Sequence, residues 1–364
     1  MNFDIEYYDT YIVLAILFTF AFAEIIGGFY KNYKHSKDDW IMESISLVQT
    51  AVLIQPMIVV ATLATLGFLL PEYDGAYKGM SLWFALPFYL LIDDVMQYWY
   101  HRKAHEWEWL WKFHRPHHAT PEMGVLTTFR NAAIYYVIMP NLWWIGIVTF
   151  LGFGKAVAIG LTFKYLVVIG AHSQVKWDQF LYKYKILSPL AWIVERTIST
   201  PSTHFTHHGK TAQDGISDPN GNFSNTFFFW DILFGTAIIH RQYPTEFGLE
   251  NDPQDGWAAH LYYPFIKSKK EGSELSKNYK KTITNSLEPS MLTLEAGKYA
   301  WCRCGYSQNQ PFCDGSHHGT GMKPLVFEVK RKQKLSLCNC KMTKSGPFCD
   351  NSHVKEVVSV EGMS

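Results

Sequence analysis

Long uninterrupted apolar stretches in the first half of the chain constrain its fold more than any other feature. Residues 11–30 (YIVLAILFTFAFAEIIGGFY) and 47–70 each match the ~20 residues that a membrane-spanning helix needs. A third run, 81–100, carries Asp93 and Asp94. A fourth covers 132–153, and a fifth, 156–171, is short, carries Lys164 and pairs with the fourth as a hairpin or a second crossing. Backbone polar groups in lipid must be satisfied within their own segment, so such runs become helices. No basic region precedes residues 11–30 and no small-residue cleavage site follows, which favours a span over a cleaved signal. The last third is polar and Lys-rich. The sequence predicts a mainly α, multi-span transmembrane bundle followed by a soluble part.

Loop charge orients the spans. Segment 31–39 (KNYKHSKDD) begins basic, whereas the N-terminus and 71–79 do not. Positive loops stay cytoplasmic, which puts residues 101–118 and everything after 172 on the cytoplasmic side. The formal net charge is +1, from 33 basic and 32 acidic residues, so no overall basic field points to nucleic acid.

Histidines cluster where these spans end. His101 and His105 are spaced i, i+4; His114, His117 and His118 form H-x-x-H-H, and His204, His207 and His208 repeat that spacing. Each set shares a helical face. His172 stands alone after the fifth apolar run. Imidazole suits iron, zinc or copper, and eight or nine neutral imidazoles are too many for one ion. Two ions with four or five ligands each fit the count and leave positions for dioxygen. Asp94 lies seven residues before His101 and is placed to accept the outer N–H of a ligating ring. His35, His240 and His260 show no such spacing and read as ordinary residues.

The runs DDVMQYWYHRKAH, WKFHRPHH, TPSTHFTHH and FFWDILFGT resemble the sterol desaturase/fatty acid hydroxylase superfamily of membrane diiron enzymes over residues 80–240. The likeness extends to Asp94, Tyr98, Trp99, Arg102, Arg130, His172 and the Trp230-Asp231 pair, and LTTFRNAAIYYVIMP looks most like its alkylglycerol monooxygenase branch. The resemblance implies a cytosolic histidine-rich helical cap, two iron ions, O2 as co-substrate and a tunnel to a lipid substrate. Members with ten ligands carry another His four residues beyond the one matching His172; here that position is Lys176, so nine His ligands are expected. The family's Asn-Tyr-Gly after the third box appears as Asn222-Phe223-Ser224.

All six Cys fall after residue 301, in two copies offset by 36 residues: YAWCRCGYSQNQPFCDGSH and LSLCNCKMTKSGPFCDNSH. Each copy offers three thiolates and one imidazole: Cys302, Cys304, Cys313 and His317, then Cys338, Cys340, Cys349 and His353. Such a set holds zinc or a [2Fe–2S] cluster. The whole pattern, with Ser307 and Pro311 and then Thr343 and Pro347, resembles the CDGSH iron–sulfur family in its tandem form. That resemblance implies two [2Fe–2S] clusters. Exposed His ligands would make these clusters acid-sensitive, because a protonated imidazole cannot bind iron. Short strands around 291–294 and 324–329 fit a small β-rich fold.

The expected organisation is a membrane diiron domain over 1–250, a linker over 251–285 and a tandem CDGSH-type domain over 286–364. The expected activity is O2-dependent hydroxylation or desaturation of a lipid C–H bond. Electrons would come from the C-terminal module or from an external reductase or ferredoxin. The competing reading is a membrane-anchored iron–sulfur redox or cluster-transfer protein with an inactive diiron site; intact boxes speak against it.

Overall fold

The computed structural model of the chain describes residues 5–32, 34–211, 214–249, 252–270, 273–277, 286–318, 320 and 322–352. Its first part is helical: α1 (Ile5–Ile26), α2 (Lys37–Val48), α3 (Gln55–Leu69), α4 (Leu82–Glu106), α5 (Glu108–His118), α6 (Ala133–Val137), α7 (Pro140–Phe150) and α8 (Gly154–His172). Shorter helices follow: α9 (Gln179–Lys183), α10 (Ser188–Thr197), α11 (Pro201–His208), α12 (Phe229–Leu233) and α13 (Trp257–Tyr262).

Among the described residues, three helical stretches are long and apolar enough to cross a membrane: Lys37–Leu69, Ala133–Phe150 and Gly154–His172. Tyr11–Ile26 is apolar but shorter. The chain is a membrane protein. The second span differs from its expected bounds. Helix starts at Lys37, where Ser36 and Asp39 form a capping box, and continues through a π-helical turn at Gln49–Ile54 into α3. Helix α4 is not among the three, because Asp93 and Asp94 interrupt its apolar run. Both carboxylates are buried, and Asp93 is matched by Lys164 of α8 at 2.5 Å and the Asn141 amide of α7 at 2.8 Å. An intramembrane charge survives by such pairing.

Helix α1 packs on α8, α3 on α7, and α4 on both α7 and α8. Two glycines allow the closest approaches. A Cβ on Gly146 would lie 2.6 Å from Thr62 Cβ, and one on Gly160 would lie 2.5 Å from the Tyr89 ring. The main core runs from Ile58 and Tyr89 through Tyr135 and Ile145 to Leu161.

Residues 252–277 lie against the helical part. Buried Arg115 of α5 donates to Asp255 and Asp252, each at 2.9 Å, and Leu261 and Leu275 are fully buried.

The C-terminal part is β-structured: β1 (Ser290–Leu294), β2 (Gly297–Trp301), β3 (Leu325–Val329) and β4 (Gln333–Leu337). The repeat predicts that β2 and β4 are equivalent, since 297 plus the offset of 36 is 333. The pairing is crossed: β1 with β4 and β2 with β3, both antiparallel. Each repeat therefore completes the other's sheet.

Candidate metal centres

Helices α4, α5, α8 and α11 point nine imidazoles at one another. His101, His105, His114, His118 and His207 bring ligand nitrogens within 4.8 Å of one another; His117, His172, His204 and His208 form a second such group. All nine are buried. The groups abut: the His118 and His208 rings stack at 4.4 Å and 13°. Each H-x-x-H-H box is divided between the groups. Its i and i+4 rings go to one (His114 and His118; His204 and His208) and its i+3 ring to the other (His117; His207).

The surroundings select the tautomer. Nδ1 of His101, His117, His172 and His207 faces the carbonyls of Phe223, Thr127, Val168 and Gly221 at 2.7–3.0 Å. His114 Nδ1 faces Asn131 Oδ1 at 2.8 Å. A carbonyl can only accept, so Nδ1 carries the proton and the Nε2 lone pair points inward. His105, His114 and His118 each keep a buried Nε2 with no hydrogen-bond partner among the described residues. Burial, followed by neighbouring imidazoles, pushes the pKa of His117, His118, His204 and His208 well below the ordinary value. Neutral rings with orphaned inward lone pairs are the donor set that two iron ions require, so the residues fit that cofactor.

Asp94 departs from its expected contact. His101 Nδ1–H donates to Phe223 O, while Asp94 Oδ2 accepts from Phe227 N at 2.8 Å. Seven residues return to the same helical face but about 10 Å along the axis, too far for a direct bond. Asp94 instead holds the loop that carries the Phe223 carbonyl. Asp231 does the same from the other side, accepting from Phe223 N and Ser224 N at 2.8 Å each. Its role was not legible in the sequence beyond the Trp230-Asp231 match.

Below His101, His114, His117 and His172 opens a cavity. Met139, Leu142 and Ile145 of the α6–α7 segment and Leu161 and Val168 of α8 line it, together with the polar side chains of Gln97, Asn141 and Lys164.

In the first cysteine set, Cys302 and Cys304 Sγ lie 3.7 Å apart, and Cys313 Sγ lies 2.9 Å from His317 Nδ1. Two ligand pairs suit the two irons of one [2Fe–2S] cluster. Contact with Cys304 lowers the Cys302 thiol pKa, towards the thiolate that metals bind, and raises that of Cys304. His317 is not exposed as expected: it is 6 % accessible, and the Asn220 side-chain amide sits 2.9 Å from its Nε2. In the second set Cys338 and Cys340 Sγ are 3.3 Å apart and Cys349 is half-buried. His353 lies outside the described residues.

A helical membrane part with a nine-imidazole centre, joined to a cysteine-rich β unit, defines a two-domain metalloprotein. Residues 86–236 match the fatty acid hydroxylase family, and residues 266–318 match the iron-binding zinc finger CDGSH type. The chain is 28% identical over 149 residues to alkylglycerol monooxygenase of Xenopus tropicalis, covering 41% of this chain and 29% of that protein. It is 30% identical over 201 residues to the ornithine lipid hydroxylase OlsE of Rhizobium tropici, covering 50% and 51%. It is 39% identical over 82 residues to the mitochondrial CDGSH iron-sulfur domain-containing protein 3 of Mus musculus, covering 20% and 60%. The chain thus spans less than two thirds of each of these relatives. It carries a fatty acid hydroxylase domain of the sterol desaturase superfamily and a CDGSH iron–sulfur domain.

Proposed function

We propose that the protein is an O2-dependent lipid hydroxylase whose CDGSH module supplies its electrons. The observation that carries the reading is a cavity, lined largely by apolar side chains, that ends on members of both imidazole groups. Lipid hydroxylation by relatives and the iron–sulfur character of the C-terminal domain support it. His101, His105, His114, His118 and His207 would hold one iron, and His117, His172, His204 and His208 the other. This iron pair supplies oxygen activation, turning one C–H bond, O2, two electrons and two protons into an alcohol and water. The chain's own residues do the rest. Leu142, Ile145 and Leu161 exclude water and align an acyl or alkyl chain with the centre. Tyr135 stacks on the His114 ring at 5.0 Å and 19° and fixes its plane beside the reacting carbon. Asp94 and Asp231 are positioning residues for the loop whose carbonyls orient His101 and His207. In this reading the His groups and the C-terminal module share the cytoplasmic face.

Two measurements test it. Purified protein should hold about six irons per chain, two in the His centre and two in each cluster. Lipids of cells carrying the chain should contain a hydroxylated species that is absent with His207→Ala. Stoichiometric zinc with no visible absorbance, or identical lipids in both cells at full iron content, would overturn the proposal.

A further inference from the structure

The two cysteine sets occupy different places relative to the histidine centre. The first is docked on it. His318, which follows the ligand His317, is 7 % accessible and stacks on the Trp111 indole at 4.4 Å and 14°. The His317 and His318 rings are themselves stacked at 4.5 Å. Trp111 also meets His105 at 5.3 Å and His118 at 5.7 Å, both members of the five-imidazole group, and the His318 ring lies 6.2 Å from His105. Glu274 accepts from Trp111 Nε1 at 3.0 Å and fixes the indole, while Asn220 meets His317 from the loop after α11. An unbroken series of ring contacts, none longer than 5.7 Å, thus joins a ligand of the first cysteine set to a ligand of the histidine centre.

The second set is turned away from that contact. Cys349 is half-buried, and Phe348, Asp350 and Asn351 are exposed. Its link inward is Trp301, the residue before Cys302. The Trp301 indole packs against Cys338 and Cys340 and donates from Nε1 to Cys338 O at 2.7 Å. The repeat is asymmetric at both contacts: 36 residues on, Trp301 becomes Leu337 and His318 becomes Val354.

We propose that the two cluster sites act in series, with electrons arriving at the second motif, crossing Trp301 to the first, and reaching the histidine centre through His318 and Trp111. This rests on the hydroxylase reading above. The electron count closes. Each [2Fe–2S] cluster gives one electron and is oxidised by one. Two reduced clusters therefore hold the two electrons that one C–H hydroxylation consumes, with two protons from solvent ending in the water formed. A soluble one-electron carrier of the ferredoxin or flavodoxin class restores them at the exposed motif.

The test uses the full chain with both clusters reduced anaerobically, mixed rapidly with oxygen and a lipid extract from producing cells. Cluster absorbance is followed in time, and product is measured after quenching. Wild type should reoxidise in two phases, faster with lipid than without. His318→Leu, at unchanged iron content and cluster absorbance, should slow both phases about tenfold or more, because the second cluster drains through the first. His318→Phe, which restores a stacked ring, should return the rate. Slowing of a single phase would overturn the series arrangement. Equal rates in His318→Leu and wild type, or His318→Phe as slow as His318→Leu, would overturn the route. Cluster reoxidation in wild type that ignores lipid and is unchanged in His207→Ala would overturn the donor reading itself, and the relay with it.

Discussion

At the scale of single residues, the histidine centre depends on groups that never touch it. Asp94 and Asp231 hold the 223–227 loop, and that loop supplies the carbonyl that fixes His101. Asp94→Ala removes the acceptor of the part-buried Phe227 N–H and frees the loop. Iron affinity should then fall about 10–100-fold with the fold intact, read as iron per chain across a chelator series. Unchanged retention would show that the loop is held without Asp94. The imidazole ligand set was readable from spacing because repeated i, i+3, i+4 histidines beside apolar spans have few other uses. The partition of each box was not, since a shared helical face does not say which neighbouring helix each ring will meet. The carbonyls of Gly221, Phe223 and Thr127 were invisible for another reason: any residue supplies the same backbone acceptor. Trp111 and His318 were not singled out in the sequence, because only the fold stacks them.

At the scale of elements, close helix packing and buried cations such as Arg115 set the frame. Gly160→Val would drive a branched side chain into Tyr89 and force α8 from α4. Overpacking of this kind costs about 1–3 kcal/mol, so thermal unfolding in detergent should shift down clearly for Val and less for Ala. An unshifted Val variant would mean that the α4–α8 contact is looser than described. Arg115 binds the 252–277 segment to α5 through Asp252 and Asp255. Arg115→Leu leaves two buried carboxylates without their cation, a loss of about 3–5 kcal/mol, and limited proteolysis should cut 252–277 sooner than in wild type. Lys at this position should rescue little, because one ammonium cannot replace a fork reaching two carboxylates. The start of the long α2–α3 helix was not read from the sequence, which put the span at 47–70; the Ser36–Asp39 capping box that begins it appears in the structure. Its continuity through the π-turn at Gln49–Ile54 was not read either, since the apolar run alone marked the span.

At the scale of the whole molecule, a membrane helical centre and an iron–sulfur unit meet through few side chains. A chain ending at Asn285 should keep the His-centre iron, about two per chain, and lose all cluster absorbance. Loss of His-centre iron in that truncation would show that the β unit also holds the helical domain together. The crossed pairing of β1 with β4 and β2 with β3 bears on how the protein is made. Cys302, Cys304, Cys313 and His317 are added to the growing chain before any residue of β3 or β4. The first cluster's ligands therefore wait, complete in number but without a frame, until Leu337 has been added. Cluster insertion into either motif must follow translation of both, and a gene shortened between the repeats would encode four ligands with nothing to hold them in place.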